Sequence, residues 1–142
     1  MKLSRIRKLI FLHLQHLPMK SRGQRATICK LGGVQIYNPS KTFIGEDVIF
    51  DTNYPEDIII EEGVRITARC ILLTHFMTPS TGSYARGQII IKRGAYIGAN
   101  TIICKPVTIG ENAIIGAGSI ITKDIPANEV WAGNPAKFIR KR

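Results

Sequence analysis

The chain has 142 residues, which is the length of about one ordinary domain. Its 44% hydrophobic content, 13 glycines and 7 prolines are typical of a globular protein and exclude a disordered or collagen-like chain. No apolar run reaches the ~18 to 20 residues needed to cross a bilayer, so the sequence predicts no membrane-spanning helix. The 20 Lys and Arg residues outnumber the 10 Asp and Glu residues, which gives a formal charge of +10.

The excess positive charge lies at the two ends of the chain. Residues 1–45 hold nine basic residues and no acidic residue, and residues 137–142 hold four basic residues and no acidic residue. Residues 46–136 hold seven basic and ten acidic residues, a balance of −3. Neither end has the interleaved basic and aromatic residues, or the motifs, of nucleic-acid-binding domains, so we expect no nucleic-acid partner.

The first 18 residues have the spacing of one amphipathic helix that ends at Pro18. Its apolar stripe could pack against the rest of the protein, which we favour, or lie on an anionic membrane surface. Polar residues interrupt the apolar run and no small-residue cleavage site follows, so we do not expect a secretion signal. The apolar positions are Leu3, Ile6, Ile10, Leu14 and Leu17.

The three cysteines, Cys29, Cys70 and Cys104, have neither CxxC spacing nor an even count. This pattern argues against a disulfide framework and against a zinc knuckle. We therefore expect reduced thiols in a cytosolic protein, with Cys70 and Cys104 as small core or wall residues.

An isoleucine recurs at every sixth position from Ile91 to Ile121 without a break. The same register recurs earlier from Ile60 to Leu72 and again at Ile44. Neither an α-helix nor an amphipathic strand places every sixth residue equivalently. If three hexads make one turn, the isoleucines stack in the interior and successive turns form parallel strands ~4.8 Å apart. The sequence therefore predicts an all-β solenoid, a triangular-prism β-helix.

Two insertions interrupt the repeat, one around residues 53–56 and one at residues 74–88. Loops that leave a rigid scaffold often carry function. After the repeat, the tail at residues 127–142 is expected to cover the open end as a short helix or strand. We therefore divide the chain into a basic amphipathic helix with its lead-in, residues 1–30, and a β-helix domain, residues 31–142.

Residues 96–140 read YIGANTIICKPVTIGENAIIGAGSIITKDIPANEVWAGNPAKFIR. This stretch resembles the hexapeptide-repeat acyltransferases, above all the maltose, galactoside and xenobiotic O-acetyltransferases and the related polysaccharide O-acetyltransferases. The resemblance is strong over residues 58–140 and weaker over residues 30–57. It implies a left-handed parallel β-helix, an exception to the right-handed crossover rule. It also implies a homotrimer that binds acetyl-CoA in the cleft between adjacent prisms.

In that family the catalytic histidine stands at the base of a loop that leaves the prism, and His75 in LLTHFMTPS occupies this place. The resemblance thus makes residues 74–88 the active-site loop. The imidazole would take a proton from the acceptor as it attacks the thioester and would return that proton to the departing thiolate. A backbone amide is expected to stabilise the oxyanion. Asn53 lies in the first insertion and Asp51 just before it. These two residues are the nearest candidates for binding an acceptor.

Coenzyme A carries several phosphates and a long amide-bearing arm, so its site should combine backbone hydrogen bonds with cations. Many sugar acetyltransferases carry Ser where this chain has Ala99, so one hydroxyl contact to the thioester end is absent here. The cofactor-binding residues that the resemblance implies are Ala99 and Ala117 at the pantetheine arm, Thr122 and Lys123 near the nucleotide, and Lys137 and Arg140 at the phosphates.

The expected function is acetyl-CoA-dependent O-acetyl transfer to a hydroxyl of a sugar or polysaccharide precursor, without a metal. The expected location is the cytoplasm, with peripheral contact at the inner membrane surface through residues 1–18 as an option. Two alternatives stay open, N-acetylation of an amino sugar and a non-catalytic trimeric scaffold or binding protein. A carbonic anhydrase of the γ class needs three histidine ligands, whereas the prism has only His75.

Overall fold

The computed structural model describes residues 2–19 and 23–142. Two helices begin the chain, α1 at Lys2–Leu14 and α2 at Gln24–Leu31. Short 3-10 turns lie at Pro39–Lys41 and Pro55–Asp57, and most of the remaining chain forms short strands. The strands are β1 (Gln35–Ile36), β2 (Phe43–Ile44), β3 (Ile49–Phe50), β4 (Ile58–Ile60), β5 (Arg65–Ile66), β6 (Ile71–Leu72), β7 (His75–Met77), β8 (Tyr84–Arg86), β9 (Ile89–Ile91), β10 (Tyr96–Ile97), β11 (Ile102–Ile103), β12 (Val107–Ile109), β13 (Ile114–Ile115), β14 (Ile120–Ile121), β15 (Glu129–Gly133) and β16 (Ala136–Lys141).

Three sheets surround the core, and successive strands enter them in rotation. The strand orders are β1-β4-β9-β12, β14-β11-β6-β3 and β16-β15-β13-β10-β5-β2. All neighbours in these sheets pair in parallel except β15 and β16. Because β2, β3 and β4 belong to different sheets and β5 returns beside β2, the chain follows the three-sided course that the period of six predicts.

Each sheet contributes one stacked column of side chains to the core. Isoleucine suits this place because a β-branched side chain packs well on a pleated strand. Burying one such side chain contributes about 1.5–3 kcal/mol, so the columns dominate the stability of the fold. The columns are Ile36, Ile60, Ile91 and Ile109; Ile44, Ile66, Ile97, Ile115 and Trp131; and Phe50, Leu72, Ile103 and Ile121.

Glycine at a corner of the coil lets the backbone of two successive turns approach closely. Gly98 is such a position. A Cβ atom at Gly98 would lie 2.5 Å from the backbone nitrogen of Ala117 and 2.7 Å from the carbonyl oxygen of Ile115. We expect Gly98→Ala to lower the free energy of unfolding by about 1–3 kcal/mol, because rigid backbone must shift. Thermal or chemical denaturation measures the loss.

The matched control is Gly82→Ala at the tip of the β7–β8 hairpin. A Cβ atom there meets no other atom within 4 Å, although its φ of +65° is a left-handed value. The control should cost about 1 kcal/mol, the penalty of a left-handed φ for an alanine, without any backbone clash. A Gly98 variant as stable as the control would contradict the close approach of the two turns.

The insertions and the tail take defined conformations. The first insertion contains the 3-10 turn at Pro55–Asp57, and the second forms an antiparallel hairpin of β7 and β8. In the tail, β15 continues the third sheet in parallel on β13, and β16 folds back on β15. Of the two forms expected for the tail, a short helix or a strand, the structure therefore has strands.

The N-terminal region differs from the sequence expectation in two respects. The helix ends at Leu14 rather than at Pro18, and a second helix, α2, was not predicted. The prediction that the apolar stripe packs against the rest of the protein is also wrong within this chain, because Ile6 is 51% exposed and Ile10 is 52% exposed. The structure describes the backbone of Leu3 but not its side chain. No helix in residues 2–19 or 23–142 has the length and apolar character that crossing a bilayer requires.

The reason is that α1 packs through the side that carries Leu12, and that Gln15, directly after the helix, makes specific polar contacts with the body of the protein. The buried amide of Gln15 donates to the carbonyl oxygen of Val48 at 2.6 Å. The guanidinium of Arg25, on α2, donates through Nε to the carbonyl oxygen of Gln15 at 2.8 Å. Leu12 is buried on the same face. These contacts fix which side of α1 faces the body of the protein.

Candidate functional site

The two insertions meet at the side chain of Asp51, which directly follows β3 and has no exposed surface. Its Oδ2 accepts hydrogen bonds from the backbone N–H groups of Thr74 at 3.0 Å and His75 at 3.2 Å. The hydroxyl of Thr74 also donates to Oδ2 at 3.0 Å. Oδ1 accepts from the backbone N–H groups of Asn53 at 2.9 Å and Tyr54 at 3.1 Å. One carboxylate thus holds both insertions in a fixed relation.

The same carboxylate orients the imidazole of His75. Nδ1 of His75 lies 2.5 Å from Oδ2 of Asp51. Because an ionised carboxylate only accepts hydrogen bonds, we infer that Nδ1 carries the proton, which leaves Nε2 with a free lone pair in the neutral ring. Nε2 lies 3.5 Å from Nδ2 of Asn53, and the His75 side chain is 26% exposed. The ring is therefore fixed, with its basic nitrogen on the edge away from Asp51.

Asp51 stays ionised at neutral pH in this setting. Burial by itself raises the pKa of Asp51. The hydrogen bond from His75 and those from the backbone N–H groups of Tyr54, Thr74 and Asn53 outweigh burial, so the pKa lies below its ordinary value of 3.8. The ionised carboxylate therefore remains an acceptor for the N–H of His75 at neutral pH.

A cleft of about 420 Å³ opens beside His75. The ring of Tyr54 meets the imidazole edge-on, with 5.6 Å between the ring centroids. The ring of Tyr84 lies 6.4 Å away and is 75% exposed. Across residues 2–19 and 23–142, no three His, Cys, Asp or Glu side chains converge as a metal site would require. The cleft is lined by Asn53, Tyr54, His75, Tyr84, Ala85 and Arg86.

Arg86 ties the hairpin to the first insertion. Its guanidinium forms a bidentate pair with Asp57 and lies 3.5 Å from Glu56. It also stacks 4.0 Å from the ring centroid of Tyr54. Lys8 on α1 donates to Glu56 at 2.7 Å, so a chain of charges connects α1 with the wall of the cleft.

Of the predicted site residues, Asp51, Asn53 and His75 come together. Asn53 lines the cleft, as a residue that meets an acceptor must. Asp51, also expected to grip an acceptor, has a fully buried side chain whose oxygens are taken by His75 and by backbone groups. This geometry suits a residue that orients His75 and leaves no carboxylate surface for an acceptor.

Ala99 and Ala117 lie on consecutive turns, one above the other. The carbonyl oxygen of Ala99 accepts a hydrogen bond from the backbone N–H of Gly118 at 2.7 Å. Ala117 is exposed and Ala99 is half-buried. Their backbone is therefore at the surface of the prism, and neither residue lines the cleft beside His75.

The four polar cofactor candidates lie near the C-terminal end of the coil. Thr122, Lys123, Lys137 and Arg140 are all exposed. The ammonium of Lys123 lies 5.0 Å from the ring centroid of Trp131. Lys137 and Arg140 are on β16, which pairs with the strand that contains Trp131. These residues, too, are absent from the lining of the cleft beside His75.

Sequence reasoning did not single out Tyr54, Tyr84 or Arg86. The hairpin brings the latter two to the site, because its register pairs His75 with Arg86. The available signal was the turn-forming sequence TPSTGS between two short segments, which is typical of a hairpin.

Comparison with known proteins agrees with the period of six. The family described as bacterial transferase hexapeptide (six repeats) matches residues 88–123. A Staphylococcus aureus protein named as an acetyltransferase is 27% identical over 132 residues, which cover 75% of this chain and 66% of that protein. The galactoside O-acetyltransferase of Escherichia coli is 53% identical over 67 residues, 47% of this chain and 33% of the enzyme. The chain thus spans less than two thirds of these relatives.

Among solved structures, a galactoside acetyltransferase in complex with coenzyme A has a TM-score of 0.67 to this chain at 25% identity. The match covers 99% of this chain and 81% of the other. Sequence, fold and repeat register therefore agree: residues 88–123 match the hexapeptide transferase family, and the chain is similar to acetyltransferases, galactoside O-acetyltransferase among them.

Proposed function

We propose that this chain is an acetyl-CoA-dependent O-acetyltransferase that acts on a hydroxyl of a sugar or polysaccharide precursor. The observation that carries the proposal is the pair of Asp51 and His75 at the cleft, with a buried carboxylate 2.5 Å from Nδ1 of the imidazole. The local identity of 53% to a galactoside O-acetyltransferase supports this reaction class.

In the proposed reaction, Nε2 of His75 takes the proton of the acceptor hydroxyl. The hydroxyl oxygen attacks the acetyl carbonyl carbon, forming a C–O bond and a tetrahedral oxyanion. The intermediate collapses as the C–S bond breaks, and the thiolate takes the proton back from His75. The products are the acetyl ester and the free thiol of coenzyme A, and His75 returns to its neutral form. General acid–base assistance of this kind contributes about 10²–10⁴-fold to the rate.

We assign the walls of the cleft to the acceptor. The exposed ring of Tyr84 offers an apolar face of the kind on which a sugar ring stacks, and the amide of Asn53 can exchange hydrogen bonds with hydroxyls. Asp51 acts as a positioning residue in this proposal, because it holds His75 in one tautomer without touching the acceptor.

We further propose a left-handed coil and a homotrimer with acetyl-CoA between adjacent prisms. The cofactor candidates are at the surface and outside the lining of the His75 cleft, and a neighbouring copy would bring both halves of a site together. The outer face of the third sheet offers a surface for that contact, with Phe43 and Tyr96 each 39% exposed. Lys123, Lys137 and Arg140 would meet the phosphates.

The test is an acetyl-transfer assay of the full chain with acetyl-CoA and a panel of glycosides, nucleotide sugars and amino sugars. We expect thiol release that depends on a hydroxyl-bearing sugar, and a product whose acetyl group hydroxylamine removes, as for an ester. A hydroxylamine-stable product formed only on amino sugars would favour N-acetylation. Failure to bind acetyl-CoA in calorimetry would favour the non-catalytic scaffold and overturn the proposal.

A further inference from the structure

We propose that the solvent-facing side of α1 docks the protein on an anionic membrane surface. Apolar side chains recur every three or four positions on this side and continue into the turn that follows the helix. They are large, and none is more than about two-thirds buried. The stripe consists of Ile6 (51% exposed), Leu9 (38%), Ile10 (52%), Leu14 (38%) and Leu17 (54%).

The stripe is not needed for packing within the chain. Leu12, which faces the body of the protein, lies about 120° around the helix from Ile6 and about 160° from Ile10 at 3.6 residues per turn. Gln15, which directly follows the helix, is buried as well. Because Gln15 is anchored to Val48 and to Arg25, α1 cannot turn the stripe inward without breaking buried hydrogen bonds. The hydrogen bonds of Gln15 therefore keep the apolar side of α1 directed toward solvent.

The charges beside the stripe select the kind of surface that covers it. Arg5 and Arg7 are exposed and, as neighbours of Ile6, lie about 100° to either side of it. Residues 1–45 contain nine basic residues and no acidic residue. A second copy of α1 laid on the stripe would bring like charges together with no acidic side chain on either helix. An apolar stripe between cations matches acyl chains below anionic headgroups.

The test is co-sedimentation of the full chain with vesicles of phosphatidylcholine alone or with one third phosphatidylglycerol. We expect binding to the anionic vesicles that weakens as salt is raised, and little binding to the neutral ones. The double variant Ile6→Ser/Ile10→Ser should lower the affinity at least about tenfold, because two half-exposed isoleucines no longer enter the acyl region. Arg5→Glu/Arg7→Glu should lower it as well.

The matched control is Ile49→Ser/Ile139→Ser, which removes two isoleucines of similar exposure, 48% and 57%, outside α1. Its affinity for vesicles should equal that of the wild type. Absence of binding by the wild-type chain, or equal loss in both double variants, would overturn the proposal. A fall in assembly mass by light scattering on Ile6→Ser/Ile10→Ser, without loss of vesicle binding, would show that a second copy covers the stripe. Vesicle binding that persists when acetyl transfer fails separates the two proposals.

Discussion

Replacing His75 with alanine is expected to lower kcat for acetyl transfer by about 10²–10⁴-fold, because the acceptor hydroxyl loses its general base. Coenzyme binding should be unchanged, since the residues that we assign to coenzyme A do not line the cleft beside His75. Steady-state kinetics and calorimetry with acetyl-CoA measure the two quantities on the same preparation. The side chain is 26% exposed, so its removal leaves the core columns intact.

The control for this prediction is His13→Ala, which removes an exposed imidazole from α1. Nδ1 of His13 contacts only the carbonyl oxygen of Leu9 among the hydrogen-bond partners that the described residues provide. Transfer in this variant should match the wild type when the acceptor is soluble. Undiminished turnover in the His75 variant would refute the proposed mechanism, and loss of coenzyme binding together with activity would point to a structural role.

Asp51→Asn is expected to lower both stability and turnover. The amide has nearly the shape of the carboxylate, but it places an NH₂ group among donors that need an acceptor. We expect the free energy of unfolding to fall by about 2–4 kcal/mol, since a buried charge-assisted network loses its centre. Turnover should fall because Nδ1 of His75 no longer has a charged partner that fixes its tautomer. Chemical denaturation and steady-state kinetics measure the two effects.

The pH dependence separates this role from simple packing. Because the pKa of folded Asp51 lies below its ordinary value of 3.8, the charge contributes stability above that pH. The contribution is lost as pH falls through the lower pKa of the folded state. The stability difference between wild type and Asp51→Asn should therefore be constant from about pH 7 to 5 and shrink below about pH 4. Glu46→Gln, which removes an exposed carboxylate, is the control, and a constant difference down to pH 3 would contradict the assignment.

The repeat could be predicted from the sequence because its physical cause is local and periodic. Each hexad needs one large side chain for the interior, so isoleucine recurs at every sixth position from Ile91 to Ile121. The pairing of Ile97 with Ile115, three hexads later, follows once three hexads make a turn. His75 could be named as a candidate because the family that the sequence resembles places its catalytic histidine at the base of the loop that interrupts the repeat.

The parts that could not be predicted depend on contacts between distant residues. The orientation of α1 is decided by hydrogen bonds of Gln15 and Arg25, and no periodicity reveals which polar side chain will be buried. The role of Asp51 depends on how two insertions of irregular length meet. Tyr84 and Arg86 reach the cleft through the register of a hairpin, which turn geometry sets.

The two ends of the coil are closed by different elements. A stack of parallel turns has no intrinsic length, because each terminal strand offers unpaired backbone groups to a further turn. Here α2 covers β1 and β2 at one end, and at the other β16 runs antiparallel and carries Lys137, Arg140 and Lys141 along the outer edge of its sheet. Both elements occupy strand edges on which a further turn or a second copy would otherwise pair, so they oppose end-to-end association at these edges.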